Sequence, residues 1–303
     1  MSIAAVVGLD IFTVLSLGGV IAISPLIKKV TNNWFFWIGL CGLLFIYAVL
    51  ARFGHDWKAF TPNPIGDHDY IISKALLLDI CPFTFIFLLI ACIVDPSRRV
   101  AKIAAPFAIF GGLITILGGG SDMQDMAIGY SFGHFIFLGS AGNEMYFMMH
   151  FLMVVIGGLV FVSTPRTHLS DWIYCNGYAV IYYSYVAIVM TQMNVYWNVS
   201  GLRSNDWSSS GEYSGVASFL NLDDNHLGGA AAFGLSVSYI FISLFIYLQS
   251  KLQNARKYSK YDFGWCANLT PDIKTRFLIG WYDLKPKSPI FIRRFFTVQR
   301  QTW

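Results

Sequence analysis

Seven long runs of apolar residues constrain this chain more than any other feature of its sequence. Each run is about as long as a helix needs to be to cross the ~30 Å hydrocarbon core of a bilayer. The chain has 303 residues, of which 55% are hydrophobic and 13% charged, a composition too apolar for a soluble domain. The runs occupy residues 3 to 27, 33 to 51, 71 to 94, 100 to 118, 145 to 163, 172 to 199 and 227 to 249. We therefore predict an all-α, polytopic membrane helix bundle with about seven transmembrane helices.

The runs define a transmembrane domain over residues 1–250, followed by a tail over residues 251–303. The run at 100 to 118 is the weakest, because Pro106 and paired glycines interrupt it, and we expect a kinked or short helix there. No Lys or Arg precedes the first run, so a cleavable signal peptide is not expected.

Positive residues divide unevenly between the two ends of the predicted bundle. With the N-terminus outside, seventeen of the 21 Lys and Arg residues fall on the inner side, eleven of them after residue 250. The four on the outer side are Arg52, Lys58, Lys74 and Arg203. Because positive residues are retained on the cytoplasmic side, we predict an outer N-terminus and a cytoplasmic C-terminus. The basic tail then suits the inner leaflet better than a nucleic acid.

Three segments outside the runs are candidates for contacts with partners. The 251–303 tail combines Arg with many aromatic residues, which suits either lipid headgroups or a docked protein. The outer connections at 52–70 and 119–144 are longer than helix connections need to be, and either could fold back into the membrane. Membrane lipids are the expected partners, with protein partners through the tail and outer loops. The five cysteines show neither CxxC nor zinc spacing, so no metal or cofactor is expected.

Ionisable side chains on three predicted helices lie at similar depths. At about 1.5 Å per residue, Asp79 and Cys81 lie roughly 12 and 15 Å below the outer start of the third run. His150 lies about 7 to 14 Å deep and Asp10 about 10 Å. An isolated ionisable group inside a membrane costs at least a few kcal/mol. A shared outward-facing polar pocket would remove that cost for all four.

The sixth run adds polar side chains that are expected to line the same pocket. Tyr183 lies near the middle of the membrane, with Gln192 and Asn194 towards the outer end. We predict that Asn194, Gln192, Tyr183 and Asp10 contact a substrate. The aromatic sequence IYYSY, which contains Tyr183, has a simpler interpretation as helix packing.

The sequence Asp-Ile-Cys-Pro at 79 to 82 places an ionisable group, a thiol and a proline together in apolar surroundings. In a regular helix Asp79 and Cys81 point about 200° apart, so they face one centre only if Pro82 distorts the turn. Pro82 also frees the carbonyl of Leu78 from its helical hydrogen bond. We therefore predict a deformed turn that lines the pocket.

The pocket has two chemical interpretations. A thiol beside a base becomes a nucleophile, so Cys81 and His150, oriented by Asp79 or Asn194, suit acyl transfer through a thioester. Without a role for the thiol, Asp79, His150 and Asp10 could bind a cation or relay protons. Each residue also has a structural interpretation: a buried core cysteine, a histidine that ties helices together, and an aspartate paired with Lys74 or a histidine.

Three segments resemble the YwaF-like integral membrane proteins. The third and fourth spans of that family are similar to LLLDICPFTFIFLLIACIVDPSRRVAKIAAPFAIFGGLITILGG. A later helix with a histidine near its outer end is similar to NEMYFMMHFLMVVIGGLVFV, and a helix end with Asn and Tyr to MTQMNVYWNVSGL. The likeness spans about residues 30 to 250 in order. The chain departs from the bacterial pattern at Asp79, where that pattern usually has a histidine preceded by proline.

The resemblance implies a catalytic pair within the membrane. The eukaryotic branch of that family includes a transacylase that moves fatty acyl chains between phospholipids with a Cys and a His. Cys81 falls in the cysteine-bearing motif and His150 at the histidine position, so the resemblance implies a lipid acyltransferase with Cys81 and His150 as catalytic residues. Asp79, expected above to orient them, is the third predicted catalytic residue. A non-catalytic subunit of a membrane complex and a small-solute or ion transporter stay open as alternatives.

Overall fold

A computed structural model of the chain describes residues 1–53, 75–140, 143–164, 169–193, 202, 218 and 226–258. Within these ranges the chain forms nine helices and one short antiparallel hairpin. The helices are α1 (Ile3–Thr31), α2 (Trp34–Phe53), α3 (Ile80–Val94), α4 (Arg99–Gly118), α5 (Gly120–Met126), α6 (Phe132–Leu138), α7 (Tyr146–Ser163), α8 (Leu169–Met193) and α9 (His226–Tyr258). The strands are β1 (Gly139–Ser140) and β2 (Asn143–Glu144), with Gly139 opposite Glu144.

Six of these helices are long and apolar enough to cross a membrane, namely α1, α2, α4, α7, α8 and α9. The prediction of an all-α membrane helix bundle is therefore confirmed. The third predicted span differs from the prediction, since α3 has only 15 residues and begins at Ile80. The weak run at 100 to 118 is a single helix of 20 residues with Pro106 inside it. The last helix continues past residue 250 to Tyr258, and the rest of the tail lies outside the described residues.

Helices α4 and α7 form the centre of the bundle. In their most apolar stretches 56% and 61% of the residues are buried, compared with 22% in α1, α2 and α9. Two glycines allow α4 and α7 to approach closely. A Cβ on Gly112 would lie 2.7 Å from the carbonyl oxygen of His150, and a Cβ on Gly157 would lie 2.8 Å from the side chain of Ile109. Small residues at such contacts are typical of helix pairs in membranes.

The segment between α4 and α7 covers one end of the bundle. It was predicted as a long outer loop at 119–144, and the described part folds into α5, α6 and the hairpin. The amide of Met145 donates to the carbonyl of Leu138 at 2.8 Å, which closes the hairpin onto α6. The hydroxyl of Tyr47 donates to the carbonyl of Phe137 and ties α2 to the same segment.

The opposite end of the bundle carries buried cations. Arg98 donates to the carbonyl of Ser163 at 3.4 Å, and Gln249 donates to the carbonyl of Phe161 at 3.0 Å. Both side chains therefore satisfy carbonyls that the last turn of α7 leaves without helical partners, and the charge of Arg98 suits a helix C-terminus. Lys102 forms a 2.8 Å ion pair with Asp171, which joins α4 to α8.

Candidate functional site

The Asp-Ile-Cys-Pro sequence lies at the start of α3. Asp79 is the N-cap residue with extended backbone angles, φ −79° and ψ 140°, so the prediction of one continuous helix over residues 71 to 94 is wrong at this residue. Pro82 is the third residue of α3, where an N-cap side chain often finds its amide partner. Proline has no amide hydrogen, and the carboxylate of Asp79 forms no capping hydrogen bond. That carboxylate therefore makes its contacts outside the cap.

Three tyrosine hydroxyls on one face of α8 hold the segment that leads into α3. The tyrosines are four and three residues apart, which is the spacing of a single helix face. The ring of Phe83 lies 5.2 to 6.0 Å from all three rings. The hydrogen bonds run from Tyr178 to Thr84 Oγ1 at 3.0 Å, from Tyr182 to the carbonyl of Leu78 at 2.6 Å and from Tyr185 to the carbonyl of Leu76 at 2.6 Å. The carbonyl of Leu78 thus lacks a helical partner, as predicted, and a tyrosine satisfies it.

Arg52, from the last turn of α2, lies beside this turn. Its side chain is buried, with 6% of the residue exposed, and Nη1 lies 3.9 Å from Sδ of Met149. The charges of Arg52 and Asp79 both act on the Cys81 thiol and on the His150 imidazole. The four residues come from α2, α7 and the start of α3, and we refer to Arg52, Asp79, Cys81 and His150 as the polar cluster.

His150 lies near the start of α7 and is almost completely buried. Its Nδ1 is 2.6 Å from the carbonyl oxygen of Tyr146 in the same helix. A carbonyl oxygen only accepts hydrogen bonds, so Nδ1 carries the proton in the neutral imidazole and Nε2 is the basic nitrogen. The ring of Tyr146 lies edge-on to the imidazole at 5.0 Å. The orientation of His150 is thus fixed by its own helix.

Cys81 is the partly exposed thiol of the described chain. Cys41, Cys92 and Cys175 are also free thiols but are buried. Among the described thiols, Cys81 is therefore the one that a reagent reaches most directly. The side chain of Thr115 on α4 lies near the Cys81 thiol.

Four further residues were predicted to contact a substrate, and the structure describes three of them and brings none of those three into the polar cluster. Asp10 lies on α1 with a buried Oδ1 that has no hydrogen-bond partner, and its charge is not among those acting on Cys81 or His150. Tyr183 packs against α9, where a Cβ on Gly234 would lie 2.3 Å from its hydroxyl oxygen. Gln192 is exposed on α8. Asn194 lies outside the described residues.

A separate apolar hollow of about 220 Å³ opens at the N-terminal end of α1. It shares no residue with the polar cluster, since its lining consists of Met1, Ser2, Ala5, Ala127, Tyr130, Phe132 and Phe135. Within the described ranges, no three His, Cys, Asp or Glu side chains come together in a way that would hold a metal ion.

Sequence reasoning missed two members of the site, Arg52 and Thr115. Arg52 directly follows an apolar run and was counted only as a charge on the outer side. A signal for its role was present, because Arg52 ends one span and the oppositely charged Asp79 begins the next. Thr115 gave no signal, since a single threonine in an apolar helix commonly bonds to its own backbone.

A family model matches residues 11–265 of the chain. The chain belongs to DUF5378, a family of unknown function. The chain is also similar to two uncharacterized Mycoplasma proteins. "Uncharacterized protein MG135" of Mycoplasma genitalium is 29% identical over 74% of this chain and 81% of its own length. "Uncharacterized protein MG135 homolog" of Mycoplasma pneumoniae is 30% identical over 76% of this chain and 85% of its own length.

No solved structure matches the chain. Neither the description of the DUF5378 family nor the names of these relatives refers to an activity or to the YwaF-like proteins. The polar cluster and Thr115 all lie within the region that the DUF5378 model covers. The site is therefore part of the domain that defines the family.

Proposed function

We propose that this protein is a membrane acyltransferase that transfers a lipid acyl chain through a thioester on Cys81. The observation that carries the proposal is the convergence of a partly exposed thiol, an imidazole and two opposite charges at one end of an apolar bundle. Ionisable groups are costly inside a membrane and usually serve a function there. The likeness of the Cys81 and His150 segments to the YwaF-like proteins points to the same chemistry.

In the first step, Nε2 of His150 takes the proton of the Cys81 thiol, and the thiolate attacks the carbonyl carbon of a lipid ester. The ester C–O bond breaks, and the leaving oxygen takes the proton back from the imidazolium. In the second step, a hydroxyl group of the acceptor gives its proton to Nε2 and attacks the thioester. The C–S bond breaks, the thiol is restored, and no oxidant or reductant is needed.

The two charged residues have complementary roles in this proposal. The guanidinium of Arg52 stabilises the negative charge that develops on the carbonyl oxygen during each attack. The carboxylate of Asp79 favours the imidazolium form of His150, since an opposite charge nearby stabilises a cation. The hydrogen bond from Nδ1 of His150 to the carbonyl oxygen of Tyr146 keeps Nε2 pointing away from the backbone of α7.

We also propose that the polar cluster lies towards the outer side of the membrane. The N-terminus, the end of α2 and the starts of α3 and α7 share one end of the bundle, and the buried cations Arg98 and Lys102 lie at the other. Positive residues are retained on the cytoplasmic side, which supports an outer N-terminus. A membrane-impermeant maleimide should then label Ser2→Cys but not Gln301→Cys in intact cells, and the opposite pattern would contradict this orientation.

The test of the activity uses purified full-length protein in nanodiscs with a phospholipid labelled in its acyl chain and an unlabelled lysophospholipid acceptor. We expect labelled acyl chains to appear on the acceptor. Cys81→Ser and His150→Ala should each abolish transfer while the protein stays folded. Cys175→Ser, which removes a buried thiol at the other end of the bundle, is the matched control and should retain transfer. Transfer that survives Cys81→Ser, or that wild-type protein never shows with any glycerophospholipid class, would overturn the proposal.

A further inference from the structure

We infer that the stretch at residues 128–133, which joins α5 to α6, lies in the headgroup layer of the membrane and contacts lipid there. All six residues of this stretch are exposed. Three of them have large side chains: Ile128 is 72% exposed, Phe132 57% and Tyr130 37%. An exposed apolar patch of this kind marks a surface that contacts a membrane or a protein.

The backbone of the 128–133 stretch holds these side chains outward. Gly129 has φ +84°, a left-handed conformation that glycine adopts without strain. The hydroxyl of Ser131 accepts a hydrogen bond from the amide of His134 at 3.3 Å and caps the start of α6. On either side of the stretch, Ala127 and Phe135 are buried and fasten it to the bundle. The exposed side chains therefore form a preformed apolar surface.

The 128–133 stretch lies beside the first turn of α1. The apolar hollow of about 220 Å³ is lined from both elements, by Met1, Ser2 and Ala5 and by Tyr130 and Phe132. On the same turn of α1, Ile3 is 69% exposed. Val7 and Ile11 follow it at helical spacing and are also exposed, and such a row on a membrane helix faces lipid. The 128–133 stretch therefore continues the lipid-facing surface of α1 at the end of that helix.

The C-terminal end of α6 packs beside the spans rather than above them. The hydroxyl of Tyr47 donates to the carbonyl of Phe137, and Tyr47 lies six residues before Phe53, the last residue of α2. At 1.5 Å per residue, Tyr47 is about 9 Å from that end of α2. Phe137 is 55% exposed, as are its neighbours on α2, Ile46 at 57% and Leu50 at 66%. One end of α6 thus reaches the level where lipid surrounds α2, and the 128–133 stretch lies at the other end.

The chemistry of this surface favours lipid as its partner. Tyrosine and phenylalanine beside apolar side chains are typical of the layer between hydrocarbon and water. Residues 119–144 contain no Lys or Arg, so attraction to anionic headgroups does not hold the stretch in place. Asp122 and Asp125 are exposed on α5, and charged side chains of this kind require water. The exposed face of α5 therefore lies on the aqueous side of the 128–133 stretch.

The test introduces a photoreactive amino acid into full-length protein in phosphatidylcholine liposomes. After illumination, Phe132→benzoylphenylalanine should gain the mass of one phosphatidylcholine molecule in intact-protein mass spectrometry. Leu43→benzoylphenylalanine, at a position that is 71% exposed on α2, is the positive control and should give a comparable lipid adduct. Asp125→benzoylphenylalanine, on the exposed face of α5, should give no lipid adduct above that of the unsubstituted protein. Replacing part of the phosphatidylcholine by phosphatidylglycerol should leave the total lipid adduct at Phe132 unchanged.

Three results would overturn the inference. The first is no lipid adduct at Phe132 while Leu43 reacts, which would place the stretch in water. The second is a crosslink between two copies of the chain, seen as a doubled mass, which would make the stretch a protein interface. The third is an adduct at Asp125 as strong as the one at Phe132.

Two features keep this test independent of folding defects and of the proposed function. If thermal unfolding shows that the Phe132 variant does not fold, Ile128→benzoylphenylalanine takes its place with the same expected results. Crosslinking requires no catalysis, so a lipid adduct in a protein that transfers no acyl chain would support this inference and contradict the proposed function.

Discussion

The hydroxyl of Tyr182 donates a 2.6 Å hydrogen bond to the carbonyl of Leu78, from the middle of α8 to the residue before the N-cap of α3. Both residues are fully buried. A buried carbonyl needs a partner, and no helical amide serves here because α3 begins two residues later. This bond fixes the backbone that carries Asp79 and Cys81, so the geometry of the polar cluster depends on α8, which contributes no residue to it.

Tyr182→Phe should destabilise the protein by about 1 to 3 kcal/mol, because the carbonyl of Leu78 would stay buried without a partner. Unfolding in detergent with increasing fractions of SDS, followed by circular dichroism, measures the change. The control is Tyr183→Phe on the neighbouring face of α8, which should have a smaller effect. Equal effects from the two variants would show that the Tyr182 bond has no special role.

Gly112→Ala should separate α4 from α7, since the added methyl group would meet the carbonyl of His150 at 2.7 Å and Val154 at 2.8 Å. Overpacking of this kind costs about 1 to 3 kcal/mol. Gly111→Ala is a matched control one residue away, where a Cβ meets nothing within 4 Å, and it should be neutral or stabilising by up to about 1 kcal/mol. The same unfolding assay compares the two, and the account is contradicted if Gly111→Ala is the more damaging change.

The ion pair between Lys102 and Asp171 gives a third prediction. Side-chain exposure is 5% for Lys102 and 22% for Asp171, so Asp171→Asn leaves a nearly buried cation without its anionic partner. We expect a loss of about 1 to 3 kcal/mol, below the full cost of a completely buried pair because Asp171 is partly exposed. Adding Lys102→Met to Asp171→Asn should restore most of the stability. A double variant as unstable as the sum of the two single variants would show that the pair contributes no coupling.

Cys81 should be the most reactive of the described cysteines in the folded protein. Cys41, Cys92 and Cys175 are buried, and reagents reach a buried thiol only after local opening. Brief exposure to N-ethylmaleimide, followed by peptide mass spectrometry, should give modification of Cys81 well before the other three. In SDS all of them should react at similar rates. Faster modification of Cys41 or Cys92 in the folded state would contradict the placement of the α3 start.

The sequence was sufficient to predict the class of fold and most of the helices. Helices that cross a membrane must be long and apolar, so six of the seven runs matched helices, and the run at 100 to 118 matched α4 to within one residue. The predicted start of the third helix was wrong. The leucines before Asp79 are as apolar as those of a membrane helix, but tyrosines from α8 donate hydrogen bonds to the carbonyls of Leu76 and Leu78. That contact joins residues more than 100 positions apart, and no local pattern encodes it.

The polar cluster was predictable only in part. The similar depths of Asp79, Cys81 and His150 led to the expectation of a shared site, and the structure places Asp79 within electrostatic range of both Cys81 and His150. Depth alone gives no direction around a helix axis, which is why Tyr183 and Gln192 were assigned to the site although they face α9 and the surface. Arg52 was missed because a charged residue at the end of a predicted span can belong either to the helix or to the loop that follows it.

A cryo-EM map of the protein in nanodiscs, at a resolution that shows side chains, would show whether the polar cluster exists. We expect Arg52, Asp79, Cys81 and His150 to face one common space, with α3 beginning at Ile80 and Tyr182 bonded to Leu78. A continuous helix through residues 71 to 94 that directs Asp79 and His150 to separate neighbours would contradict this expectation, since the thiol, the imidazole and the two charges would then share no site.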